Sequence, residues 1–287
     1  MLRYAVVPPS LIIPLIAQRK CSSAGHAHAR GDGDTRSLIV RRRSMSALIG
    51  LWDSVYPSVP KLPSLRFFTD GWGDKERQDR GVAFFRKWVK ESRYNDVRSV
   101  KLDASLTLDS TSANGSFLSP LASFLPAESQ MASFRVILPS DCESPKAMVV
   151  LFPGIGDQTF VYRRVMLAQA LLNAHIGVVL MVPPLYASRR PAGQTLHYAK
   201  TVELLLMQTT ALQSEALVVL SWLQRTWPTA LLGTAGLSWG GTNAACCGAM
   251  WDGPIAITAF ISSAAFDPLL EGALGECHSP FLAYLGA

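Results

Sequence analysis

The chain has 287 residues, 49% of them apolar and 17% charged, a balance that supports a sizeable buried core and excludes a disordered polymer. No apolar run reaches the ~20 residues of a membrane-spanning helix; the best, residues 4–17, contains Pro8, Pro9 and Pro14. The net charge of +6 is uneven, because residues 1–60 hold eight Lys or Arg against three acids; the near-neutral remainder does not read as a nucleic-acid-binding surface.

Residues 1–45 read as a basic targeting or disordered segment, and residues 46–287 as a partial α/β domain with N-terminal helices. In the first segment arginine is frequent, acids are scarce, and Ser, Gly, Ala and His fill residues 22–33. That composition points to a mitochondrial address. A secretory or membrane-associated route is the alternative, with Arg3, the apolar run and a small-residue site near Ala27 in its favour.

From Ser46 the pattern turns helical: Ala47, Leu48, Leu51, Trp52 and Val55 recur at helical spacing until Pro57. A second amphipathic helix carries Val82, Phe84, Phe85, Trp88 and Val89, and core packing is the expectation for both. Alternation over residues 100–108 predicts a half-buried strand, as do Phe134, Val136 and Leu138. Four continuous apolar runs follow, at residues 147–152, 176–182, 230–237 and 255–261, as strands buried on both faces require. Helical stretches at residues 161–174, 200–225 and 243–250 separate them. The alternation predicts a doubly wound, mostly parallel α/β sheet, incomplete at its C-terminal side.

Two places in that plan carry chemistry. Gly236-Leu237-Ser238-Trp239-Gly240 lies between a buried strand and a small-residue helix, the context of a nucleophile elbow. A sharp strand-to-helix turn crowds its neighbours, and the glycines two before and two after Ser238 leave room for it. The sequence pattern alone arises by chance in about one such chain in ten, and the flanking strand and helix make it far rarer. The second place is Pro153-Gly154-Ile155-Gly156-Asp157, which ends another buried strand. The loop after this strand and the residue after the nucleophile supply the two oxyanion-hole N–H groups of a hydrolase, here Ile155 and Trp239. A third dinucleotide-type glycine and a phosphate-loop Lys-Ser/Thr are both missing, so no nucleotide cofactor is implied.

Asp157 reads as a helix N-cap more readily than as a catalytic acid. Arg163 and Arg164 read as a solvated helix face or an anion-binding pair, and His175 and His197 as structural. The five cysteines, Cys21, Cys142, Cys246, Cys247 and Cys277, show no Cys-x-x-Cys or ligand spacing. Neither a disulfide framework nor a metal site is expected, and Cys246 and Cys247 read as buried thiols. In this fold order the acid and the His follow the Ser. Asp267 and His278 are the candidates among the 49 residues after Ser238, and the sequence ends where two more strands are expected.

An ordered set of segments resembles the α/β-hydrolase domain-containing protein 18 family. It comprises Gly71-Trp72-Gly73, Gly115-x-Phe117-Leu118-Ser119-Pro120, Glu128-Ser129, Gly154-x-Gly156-Asp157 with Arg163-Arg164, Pro184-x-Tyr186, Arg189-Arg190-Pro191, Gln194, Glu215 and the Ser238 elbow. The resemblance implies a hydrolase fold with Ser238 as nucleophile; a small-molecule or lipid ester is the expected substrate, the lipid part resting on the basic segment and the aromatic-rich leading helices. The resemblance also implies that the acid and base belong to a part of the family pattern beyond this chain's last residue. Peripheral membrane contact is a further expectation, from the basic segment and the aromatic-rich leading helices. A catalytically inactive hydrolase-like binding module is the alternative reading.

Overall fold

The continuous apolar runs pair side by side. The computed structural model describes residues 67–107, 111–140 and 144–262, all within the compact unit Val59–Ala287. The first predicted helix, the basic segment, Asp267 and His278 lie outside the described residues.

Seven strands form one sheet: β1 (Lys101–Leu102), β2 (Ser112–Leu118), β3 (Met131–Ile137), β4 (Ala147–Phe152), β5 (Gly177–Val182), β6 (Leu231–Leu237) and β7 (Ala256–Phe260). Their order is β1-β2-β3-β5-β4-β6-β7. The first three pairings along this order are antiparallel, and β5-β4-β6-β7 run parallel. After β5 the chain must pass back over β4 to reach β6, so the direction of winding reverses there. A crevice outside the carboxyl ends of the strands forms at such a reversal. Phe152 of β4 pairs with Gly236 of β6, so the two strands end level with each other.

The helices cover both faces. Helix α1 (Lys75–Lys90), α3 (Val202–Thr226) and α4 (Trp239–Met250) are joined to the sheet by a core that includes Phe134, Val150, Phe152, Met181, Leu212, Leu220 and Trp239. On the other face Leu151, Val178, Leu180 and Ala235 meet Ala168 of the helical segment α2, which runs through Val161–Arg163, a π-helical turn Arg164–Ala168 and Gln169–Asn173. Strand β5 therefore buries alternate residues on opposite sides, which explains its unbroken apolar run.

Helix α3 starts where the Thr201 hydroxyl accepts the Leu204 N–H. By length and hydropathy it could cross a membrane, yet 72% of its apolar window is buried inside the fold, and it is the core helix. Helix α1 packs across it, with Gly81 placed where any side chain would strike the Met207 sulfur. The expectation of core packing for this helix is met, since Trp88 is buried and Phe84 and Phe85 lean on the core.

The structure corrects three local expectations. The strand predicted at residues 100–108 pairs only over Lys101–Leu102. At the next residue the Asp103 carboxylate turns to accept the Asn114 backbone and side-chain N–H groups, and the ladder ends. Strand β2 was not foreseen, because its inward positions are Ala113, Gly115 and Phe117 and two of these are too small to show a period. Gly115 is small because the Phe134 ring on the neighbouring strand fills the space of its side chain. Of the two adjacent thiols, Cys247 is buried but Cys246 is exposed, since one residue along a helix turns the side chain by about 100°.

Candidate active site

The turn after β6 has the geometry that its glycines suggested. Ser238 lies at φ 56°, ψ −123°, a conformation that L-residues rarely adopt and that costs of order 1–3 kcal/mol. It is the N-cap residue of α4, but its side chain does not cap the helix, and the residue is exposed. Its N–H donates instead to the Phe260 carbonyl on β7 at 2.9 Å, which ties the turn to the next strand. A Cβ at Gly236 would sit 2.3 Å from the carbonyl group of Gly240. One at Gly240 would sit 2.7 Å from the carbonyl oxygens of both Phe152 and Pro153. The second glycine thus lets the turn rest directly on the chain leaving β4.

That chain is the Gly154 loop. Gly154 faces the Leu237 carbonyl, and Gly156 has φ 85°, which only glycine adopts freely. Among the described residues, neither the Ile155 nor the Trp239 N–H is spent on a backbone acceptor. The Gly156 N–H is spent: it donates to the Tyr186 hydroxyl at 3.2 Å. His197 packs over Gly156, where an added Cβ would lie 3.4 Å from its ring. The imidazole stacks on Tyr198 with ring centres 4.2 Å apart and lies edge-on to Phe67. Burial pushes its pKa down to about 4, so it is neutral at physiological pH. The sequence reads His197 as structural; its place over this loop follows from the path of residues 183–200, which no local pattern reveals.

Asp157 and Arg163 are neither a cap nor a surface pair. The helix after the loop begins at Val161 with Phe160 as N-cap residue, and the Thr159 hydroxyl accepts the Val161 N–H. Asp157 accepts from Arg163 Nε at 2.6 Å, while Arg163 Nη1 donates to the carbonyls of Leu151 and Met181. The guanidinium thus fastens the ends of β4 and β5 to the loop, whereas Arg164 is exposed. Burial pushes the Asp157 carboxyl up and the Arg163 guanidinium down, and each partner opposes the other's shift. Asp252, an acid that follows Ser238, is engaged elsewhere, accepting from the hydroxyls of Ser92 and Tyr94.

The segment after β5 is held by a second buried pair. Arg189 meets Glu215 of α3 through both Nη atoms, at 2.8 and 2.6 Å, and also donates to the carbonyls of Val182 and Ser129. The Ser129 hydroxyl donates to the Arg189 carbonyl and accepts the Leu185 N–H. Gln194 donates to the carbonyls of Leu185 and Leu196, and Gln208 to that of Pro184. These residues fold the segment into a wall beside the Gly154 loop.

Comparison with known proteins follows from this geometry. A serine hydrolase without a lid from Xanthomonas campestris is 18% identical, with a TM-score of 0.37, over 51% of this chain and 60% of that one. An α-β serine hydrolase homologue from Coxiella burnetii is 17% identical, with a TM-score of 0.30, over 43% and 53%. Acetyl xylan esterase 1 from Thermoanaerobacterium sp. is 14% identical, with a TM-score of 0.41, over 59% and 54%. The chain thus spans about half to three-fifths of the length of these structures. The family model described as alpha/beta hydrolase domain containing 18 matches residues 65–277, which include β1 to β7, the Gly154 loop and the elbow. The chain belongs to the alpha/beta hydrolase domain containing 18 family.

Proposed function

We propose that the protein is a serine hydrolase acting on an ester, an acyl lipid being the substrate class, with Ser238 as nucleophile. The observation that carries this reading is the exposed Ser238 at φ 56°, ψ −123°, seated against the Gly154 loop at the reversal of the sheet. In the reaction the Ser238 oxygen attacks the acyl carbon and the carbonyl electron pair moves onto oxygen. The N–H groups of Ile155 and Trp239 receive that charge, each worth about 3 kcal/mol in the transition state. The serine proton passes to an imidazole base and from there to the departing alcohol. The acid and the imidazole base are the partners that the family pattern places after the elbow, and this reading assigns neither to a residue among those the structure describes. The lipid class is supported by Val161, Tyr162, Val165 and Met166, which form an exposed apolar stripe on the helix that follows the loop.

A fluorophosphonate probe on the full-length protein tests this. Wild type is expected to label at Ser238, and Ser238→Ala is expected to lose the label. Full-length protein that folds yet takes no label sinks the proposal. Fatty-acid release from glycerolipids, compared with a short water-soluble ester, then checks the substrate class.

A further inference from the structure

Tyr186 has a hydrogen bond to give and, among the described residues, no acceptor for it. We propose that its hydroxyl is a third donor to the oxyanion, beside the N–H groups of Ile155 and Trp239; this rests on the reading of Ser238 as nucleophile.

Position is the first argument. The Tyr186 oxygen lies 3.2 Å from the Gly156 nitrogen. Successive backbone nitrogens are about 3 Å apart, so the hydroxyl stands within roughly 6 Å of the Ile155 nitrogen. The ring leans on that of Trp239, with centres 6.2 Å apart, so the phenol touches both the Gly154 loop and the first residue of α4.

Strain is the second. Leu185 and Ala187, on either side of Tyr186, both have positive φ, at 64° and 50°. Two departures of this kind in non-glycine residues, one on each side of Tyr186, persist only when their surroundings impose them. Here those surroundings are visible. The Ser129 hydroxyl accepts the Leu185 N–H, Gln194 donates to the Leu185 carbonyl, and the Gln158 side-chain carbonyl accepts the Ala187 N–H. Together they turn Tyr186 inward, where it is 2% exposed. A phenylalanine would fill that space without the cost of desolvating a hydroxyl.

The third is chemical. A hydroxyl that accepts from an N–H is polarised and donates more strongly. Burial raises the phenol pKa above its ordinary value, so the proton is present at working pH. As the Ser238 oxygen bonds to the acyl carbon and the carbonyl pair becomes an oxyanion, Tyr186 donates a hydrogen bond and keeps its proton. When the carbon–oxygen bond to the alcohol breaks, the donor is released unchanged.

In the full-length protein, Tyr186→Phe is expected to lower kcat and the fluorophosphonate labelling rate by about 10- to 100-fold with KM unchanged. It should weaken binding of a trifluoromethyl ketone, a tetrahedral-adduct inhibitor, by the same factor. Labelling at the wild-type rate overturns the proposal. If Ser238→Ala also retains the label, the nucleophile assignment fails, and the proposal with it. Should the Phe variant melt early, 3,5-difluorotyrosine at position 186 keeps the ring and acidifies the phenol. A new alkaline fall in kcat is then expected, and a flat profile overturns the proposal.

Discussion

The elbow and the wall beside it are built on opposite plans. Around Ser238 the constraint is steric and made by the main chain: Gly236, Gly240 and Gly154 lie where backbone presses on backbone, within 3.3 Å of any added Cβ. Along residues 183–200 the constraint is polar and distant. Arg189 is held by Glu215 and by the carbonyls of Ser129 and Val182, and Ser129 lies 60 residues away in sequence. The first plan tolerates no added atom. The second tolerates no missing charge.

The largest expected effect strikes the wall. Arg189→Met should leave the Glu215 carboxylate buried without its partner and cost about 3–5 kcal/mol in denaturant unfolding. Glu215→Leu added to it should return most of that loss, because removing both charges removes the burden. A double variant no more stable than the single one refutes this description of the pair. Next comes Gly236→Ala, expected to cost about 1–3 kcal/mol from overpacking and to abolish fluorophosphonate labelling. If stability falls while labelling persists, the turn is more yielding than the close contacts imply.

His197→Phe gives the smallest effect and separates the two plans by pH. The neutral native imidazole titrates near 4, below its unfolded value of about 6.5. Between those values the unfolded chain binds the extra proton, so wild-type stability falls as pH drops through that window, by on the order of 2 kcal/mol. The Phe variant should show a flatter dependence between pH 6.5 and 4, measured by urea unfolding. An unchanged slope shows that other groups carry it.

The same contrast governs what the sequence revealed. Strands β4 to β7 lie within a residue or two of the apolar runs. In β4, β5 and β6 burial on both faces writes itself as continuous hydrophobicity, whereas β7, expected to be buried on both faces, is exposed or half-buried along its length. The Ser238 turn was legible because the two glycines that meet its steric requirement, Gly236 and Gly240, fall within five residues of sequence. Strand β2 escaped because Gly115 gives its volume to Phe134, on another strand. Arg163 looked like a surface charge because two of its partners are backbone carbonyls, of Leu151 and Met181, and carbonyls leave no trace in sequence. Arg189, Gln194 and Glu215 stood out only as parts of a family resemblance. Their shared task appears once the chain has folded back on itself.

The seat of Gly240 on the Phe152 and Pro153 carbonyls has a consequence for how such a protein changes over time. It works as a gauge block, setting the gap between the Ser238 turn and the loop opposite by direct contact of main chains. Side chains elsewhere can be exchanged without resetting that gap. Exchanges on the outer face of α2, where Val161, Tyr162, Val165 and Met166 are exposed, therefore leave that gap as it is.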